Sequence, residues 1–341
     1  MKKRIVLLMV ATMTMGMLAG CGSSASDTST SESEETTETE ESADAEDEES
    51  GSDTSTEETG NLKFGFTADY LSDFMSYVVK GVEDACADYG VEITVQDAEW
   101  DTAKQLQQVE NFITSGMDAV IVKTCDSANC QPILDACTEA GIPFVCVNNT
   151  SDAGCDCYVG SDNVIAGQMQ AEYLNEALPD GGQVGVIQGD LAYESVHDRT
   201  AGAEDNLNDN FTIYSEQDCG WMRDEAMDTM ENWLSAGADL QAIIANNDEM
   251  AIGAAKVLKE NGVTGVTICG IDASEDALDM IESGDMAMTC FQNGYQQGYT
   301  GVEMAIKLAN GEEVEEYVDI PYETVTKDNV QEYKDFYANM K

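Results

Sequence analysis

The chain has 341 residues, with 67 acids set against 15 bases and a single histidine, His197. A surface this negative repels phosphate backbones and anionic lipid headgroups, which excludes nucleic acid and bare membrane surfaces as partners. The lone histidine removes most serine-hydrolase triads and most imidazole-based acid/base schemes.

In chain order, Lys2, Lys3 and Arg4 precede an apolar run over residues 5–18. That is the build of a secretory signal, and it is too short to cross a bilayer as a permanent helix. The following Leu18-Ala19-Gly20-Cys21 resembles the bacterial lipoprotein box, which implies that residues 1–20 are removed and that the Cys21 thiol carries a diacylglycerol. Residues 21–60 then form a tether of small, polar and acidic residues with fifteen Asp and Glu and no Lys or Arg. Such a stretch has too little apolar surface to offset its conformational entropy, so a disordered spacer is expected.

Residues 61–341 keep 52 acids and 12 bases, enough chain for two lobes with proper cores and a balance that suits an uncharged ligand. Short apolar runs alternate with amphipathic segments from here on, the pattern of parallel sheets flanked by helices. Nine strand candidates stand out: LKFGFTA from Leu62, VEITVQ from Val91, AVIVK from Ala119, PFVCVNN from Pro143, QVGVIQG from Gln183, FTIYSEQ from Phe211, AIIANN from Ala242, VTICGID from Val266 and MAMTCFQ from Met286. Helix candidates between them include 73–89, 102–115, 163–178, 250–260 and 275–282, with Gly and Pro at the joints. Of the eleven cysteines, Cys125, Cys146, Cys269 and Cys290 fall in strand-like runs and read as buried thiols, while the Cys155/Cys157 pair, with Cys130 near it, is the best candidate for a disulfide. No CxxC occurs and no metal site is expected.

In open α/β sheets, ligands collect beyond the carboxyl ends of the strands. Those ends carry Phe74 and Met75, Lys123, Asn148 and Asn149, Trp221, Asn247 and Asp248, Asp272 and Gln292, with Arg199 after the Gly189 turn. A carboxylate accepts from adjacent hydroxyls, amides donate and accept, a guanidinium donates in a planar fork, and an indole covers C–H surface, so the set suits a polyhydroxylated molecule. Each residue also has an ordinary structural reading. Asn247, Asp248 and Asp272 are good helix caps, Phe74 and Trp221 good core aromatics, Lys123 a surface charge, and Arg199 a partner for nearby acids.

Over nearly all of residues 61–341 the chain resembles the type I periplasmic sugar-binding proteins, the ribose- and galactose-binding group that feeds ABC importers. The resemblance rests on IIANNDEMAIGAAKVLKENG from Ile243 and ICGIDASEDAL from Ile268, supported by YVGSDNVIAGQMQAEYL from Tyr158 and IPYETVTKDNV from Ile320. It implies two Rossmann-like lobes, 61–161 with 293–319 and 162–292 with 320–341, joined by three crossings near Ser161, Gln292 and Asp319. It further implies that Asn247 and Asp272 meet sugar hydroxyls, that Phe74 and Trp221 face the two sides of a sugar ring, and that Arg199, Asn148 and Gln292 occupy further polar positions. Three departures bear on the ligand: Lys123 stands where the ribose type carries an amide, Asn148-Asn149 replaces its Asp-Arg pair, and the galactose type's calcium loop is missing around residues 179–183. Sugar, polyol and sugar acid are all compatible with that exchange of charge.

The expectation is therefore a monomeric binding lipoprotein outside the cytoplasm, held to the membrane only through Cys21. It takes a monosaccharide or polyol, delivers it to ABC permease subunits, and needs no cofactor or metal. Two rivals share the residues. One is a sensory binding protein that reports to a receptor or kinase; the other is a secreted carbohydrate-active enzyme using Asp248 and Asp272 as an acid/base pair.

Overall fold

A computed structural model describes residues 61–340, so the leader, Cys21 and the tether lie outside the described residues. The chain first builds β1 (Lys63–Ala68), α1 (Asp73–Tyr89), β2 (Glu92–Asp97), α2 (Thr102–Thr114), β3 (Ala119–Val122), α3 (Gln131–Ala140), β4 (Phe144–Val147) and β5 (Cys157–Gly160). It then builds α4 (Asn163–Ala177), β6 (Gly182–Gln188), α5 (Glu194–Asn206), β7 (Phe211–Asp218), α6 (Arg223–Ser235), β8 (Ala242–Ala245), α7 (Asp248–Glu260), β9 (Thr267–Asp272), α8 (Glu275–Ser283) and β10 (Met288–Phe291). The last elements are α9 (Gly294–Ala309), β11 (Tyr317–Asp319), β12 (Glu323–Thr326) and α10 (Val330–Met340).

These strands form two six-stranded sheets, ordered β11-β5-β4-β3-β1-β2 and β12-β10-β9-β8-β6-β7. All pairings are parallel except β10 with β12, an antiparallel edge on the second sheet. The chain passes between the sheets three times: after β5, after β10, and between β11 and β12. Each of the nine apolar runs becomes a strand. The three strands absent from that reading, β5, β11 and β12, have only three or four residues each, and β11 and β12 are edge strands with little apolar content to announce them.

Period-two alternation explains why each sheet is covered on both faces. In the first sheet Phe64, Phe66, Ile121, Val145 and Val147 point to one cluster with Val78 and Val82 of α1 and Val302 and Ala305 of α9. Val120, Val122, Phe144 and Cys146 point the other way, onto Val109 and Phe112 of α2 and Ile133 of α3. The second sheet repeats the arrangement, with Val184, Val186, Ile244 and Ile271 beneath α4 and α5, and Ile187, Ile243 and Ala245 beneath α6 and α7. Burying one such side chain contributes about 1.5–3 kcal/mol. All ten described cysteines are free thiols. The thiol of Cys155 lies against that of Cys146 and not against Cys157, because Cys157 enters β5 and turns into the core.

One close helix pair bears directly on the rest. A Cβ at Gly167 of α4 would come within 2.0 Å of the Arg199 carbonyl oxygen on α5, and one at Gly202 of α5 within 2.1 Å of the Val164 carbonyl oxygen. The two backbones therefore touch, and this fixes where the Arg199 side chain emerges. Gly167→Ala is expected to force α5 away and destabilise the protein by about 1–3 kcal/mol, the usual range for overpacking, which a chemical denaturation curve would measure.

Candidate functional site

Between the carboxyl ends of the two sheets lies a cavity of about 360 Å³ lined by Phe74, Met75, Lys123, Asn148, Asn149, Arg199, Trp221, Asn247, Asp272 and Gln292. With Asp248, which lines it too, the structure thus brings all eleven residues singled out in the sequence to one place. Asp69, Tyr70, Trp100, Tyr193 and Asp224 line it as well. Asp69 is the residue directly after β1, so the strand-end rule points to it as well as to Phe74 further on.

Arg199 organises the floor. Its Nε donates to Asn163 Oδ1 at 2.9 Å, Nη1 to the Asn246 carbonyl at 2.6 Å, and Nη2 to Gln292 Oε1 at 3.3 Å and Tyr322 Oη at 2.9 Å. Asn163 follows the first crossing, Gln292 lies on the second and Tyr322 on the third. The guanidinium therefore joins all three to the end of β8. A guanidinium has five N–H groups, and these bonds engage four, which leaves one on Nη1. No carboxylate is in ion-pair contact with it, contrary to the ordinary reading of an arginine in so acidic a chain.

Lys123 is buried and ion-paired with Asp69, not a surface charge. Tyr193, on the segment before α5, donates its hydroxyl to the same Asp69 oxygen at 2.9 Å, and the Lys123 ammonium lies 5.3 Å from the Tyr193 ring centre. Burial first, and then the neighbouring Asp69, raise the Tyr193 pKa, so the hydroxyl remains a donor. This triad runs from the first sheet to the second and neutralises the Lys123 ammonium.

Of the three residues read as helix caps, one keeps that role and two have another. Asn247 does cap α7, accepting from the Met250 N–H at 3.0 Å, while its amide donates to the Trp221 carbonyl at 3.3 Å. Asp248 is wholly buried and holds the loop after β9: its oxygens accept from Thr289 at 2.7 Å and from the Ser274 N–H at 2.8 Å. Ser274, not Asp272, caps α8. The Asp272 carboxyl is left facing the cavity. Trp221 packs over Gly189, where any Cβ would strike the indole at 2.3 Å, and stands edge-on to Tyr193 with Arg199 5.8 Å from its ring centre. Asn148 donates to Gln297 at 3.0 Å and Asn149 to the Thr124 carbonyl at 3.1 Å, so both amides are oriented by the first sheet's own side.

Backbone strain converges here too. Among the described residues the non-glycine positions with positive φ are Glu99, Trp100, Asn148, Trp221, Asp272 and Ala273, and four of these six line the cavity. Such conformations cost on the order of 1–3 kcal/mol each and persist where surrounding contacts over-determine them.

Burial pushes the Asp272 pKa up to about 7, with Arg199 opposing and Glu249 adding to the rise; burial also holds Asp248 well above the carboxylate range, with Asp272 adding to it. A carboxyl whose pKa is higher in the folded state binds its proton more tightly there than in the unfolded chain. Its contribution to stability is full near pH 4 and is lost as pH rises to about 7. Asp272→Asn should therefore melt at a higher temperature than the parent near pH 8 and at the same temperature near pH 4. Asp248 leaves a residual slope of the same sign in the variant, and melting curves across pH measure both.

Residues 64–313 match the family model described as periplasmic binding protein domain. A Rhizobium meliloti protein named for rhizopine binding is 37% identical over 76% of this chain and 88% of its own length. A xylitol-binding protein of Mycolicibacterium smegmatis is 31% identical over 79% of this chain and 78% of its own. Among solved structures, an ABC transporter solute-binding protein from Bacillus halodurans with bound myo-inositol is 35% identical, covers 81% of this chain and 98% of its own, and superposes with a TM-score of 0.78.

Proposed function

The chain belongs to the periplasmic binding protein family, and from that premise we propose that it captures a monosaccharide or related polyol outside the membrane and hands it to the permease subunits of an ABC importer. One observation carries the reading: the cavity offers an open carboxylate, amides and ring faces, while both of its inner cations, Lys123 and Arg199, already have partners. The Lys123 charge is balanced by Asp69 and four of the five Arg199 N–H groups are held by protein oxygens, whereas hydroxyl groups find acceptors at Asp272 and amides at Asn148, Asn149, Asn247 and Gln292. A sugar acid, admitted by the exchange of charge at Lys123 and Asn149, is disfavoured once Asp69 is placed beside that lysine. The relatives named for xylitol and for rhizopine, and the inositol-bound neighbour, support a small polyhydroxylated ligand.

In this reading residues 61–161 with 293–319 and residues 162–292 with 320–341 form the two lobes. The ligand stabilises the closed arrangement because it touches both, and only such differential contact can shift the equilibrium. Binding is the whole task. The acid/base pair of the enzyme alternative is disfavoured because both Asp248 oxygens are committed to Thr289 and Ser274. The protein works as a monomer, anchored through Cys21.

A thermal-shift screen of neutral sugars and polyols beside sugar acids tests the ligand class, since a ligand that binds only the folded state raises its melting temperature. Neutral compounds are expected to give the shift, Asp272→Ala to abolish it, and the ligand to be recovered unchanged by NMR. A shift confined to sugar acids would contradict the reading. For the anchor, Cys21→Ser is expected to move the protein from the membrane fraction to the medium and to end labelling by a radioactive fatty acid.

A further inference from the structure

The cavity changes character along its depth. At its inner end Asn148, Arg199 and Gln292 are 8%, 5% and 3% exposed, and all are polar. At its outer end stand Tyr70, Leu71, Trp100 and Met222, which line the same cavity yet are 37%, 42%, 45% and 47% exposed. Large apolar groups gathered at an open mouth, rimmed by polar residues, mark a surface that binds something.

The aromatic pair is built into place. The Tyr70 and Trp100 rings stack with centres 3.9 Å apart and planes 15° from parallel. Trp100 and the preceding Glu99 are both left-handed, at φ 58° and 54°, a conformation that costs roughly 1–2 kcal/mol for an ordinary residue. Three bonds hold the bend: Trp100 N–H to the Asp69 carbonyl at 2.7 Å, Glu99 N–H to Asp97 Oδ1 at 2.7 Å, and the Lys104–Glu99 ion pair at 3.0 Å. The first of these ends on the carbonyl of Asp69, the partner of Lys123, so the platform is fixed to the inner site. The exposed carboxylates Asp73 and Asp224 line the cavity as well and supply hydroxyl acceptors.

We propose that Tyr70, Leu71, Trp100 and Met222 form a second subsite for another hydroxylated ring, joined to the ring held at the inner end, so that two-ring glycosides are ligands alongside free sugars and polyols. The proposal rests on the polyol reading of the inner site. The C–H face of a pyranose covers an aromatic platform, and the flanking acids suit a hydroxylated ring better than an alkyl tail.

The test is calorimetric titration of the full chain, as the parent, Trp100→Ala and Trp100→Phe, with matched pairs: myo-inositol and galactinol, galactose and melibiose, and any other ring found by screening beside its galactoside. In the parent the galactoside should bind at least as tightly as the free ring. Trp100→Ala should weaken the galactoside roughly five- to tenfold, the scale of one aromatic contact, and leave the free ring within about twofold; Trp100→Phe should restore most of the loss. The proposal is overturned if the galactoside is excluded while the free ring binds, or if Trp100→Ala changes both equally or neither. In the last case, impaired uptake by cells with unchanged binding assigns the platform to the permease instead. Failure of every ring and every galactoside to bind would overturn the polyol reading of the inner site and this proposal with it.

Discussion

The guanidinium of Arg199 is the point on which the two halves of the molecule depend. It is buried, it comes from a helix that touches its neighbour backbone to backbone, and its donors reach a residue at or beside each of the three crossings between the sheets. Hydrogen bonds from a charged donor contribute roughly 1.5–3 kcal/mol each, and the loss of one partner leaves a buried polar group unsatisfied. The same guanidinium faces the cavity. The three crossings and the cavity floor are consequently one network, further tied on the first sheet's side by Gln297, which donates to Ser161 and accepts from Asn148.

Charge is managed inside the cleft with similar economy. A protein so strongly acidic could be expected to draw its few cations to the surface, yet Lys123 and Arg199 are both buried at the cavity. Lys123 is neutralised by Asp69, and Tyr193 from across the cleft shares the same oxygen. Removing either charge alone would strand the other in a low-dielectric site, which is far costlier than replacing the pair. The strained backbone at Asn148, Trp221 and Asp272 lies around this network, where packing can hold it.

Much of this was legible from the residues. Apolar runs with period-two alternation marked nine strands, and the rule that ligands gather beyond strand ends assembled eleven residues that line a single cavity. What escaped was pairwise and non-local. Asp69 and Lys123 are separated by 54 positions and Asp69 and Tyr193 by 124, so nothing in spacing links them. Composition likewise could not show that Arg199 would find amides, a carbonyl and a phenol instead of one of the abundant acids, or that Ser274 would take the cap that Asp272 was equally suited to fill. The short edge strands β11 and β12 gain their order from the sheets they extend and carry no signal of their own.

Small-angle X-ray scattering of the parent and of Arg199→Lys, each with and without a saturating polyol, tests the coupling most directly. The account predicts that the parent contracts on binding, whereas the lysine variant, which keeps the charge and loses the fork, stays folded at the unliganded size and does not contract. Equal contraction of both proteins would contradict it.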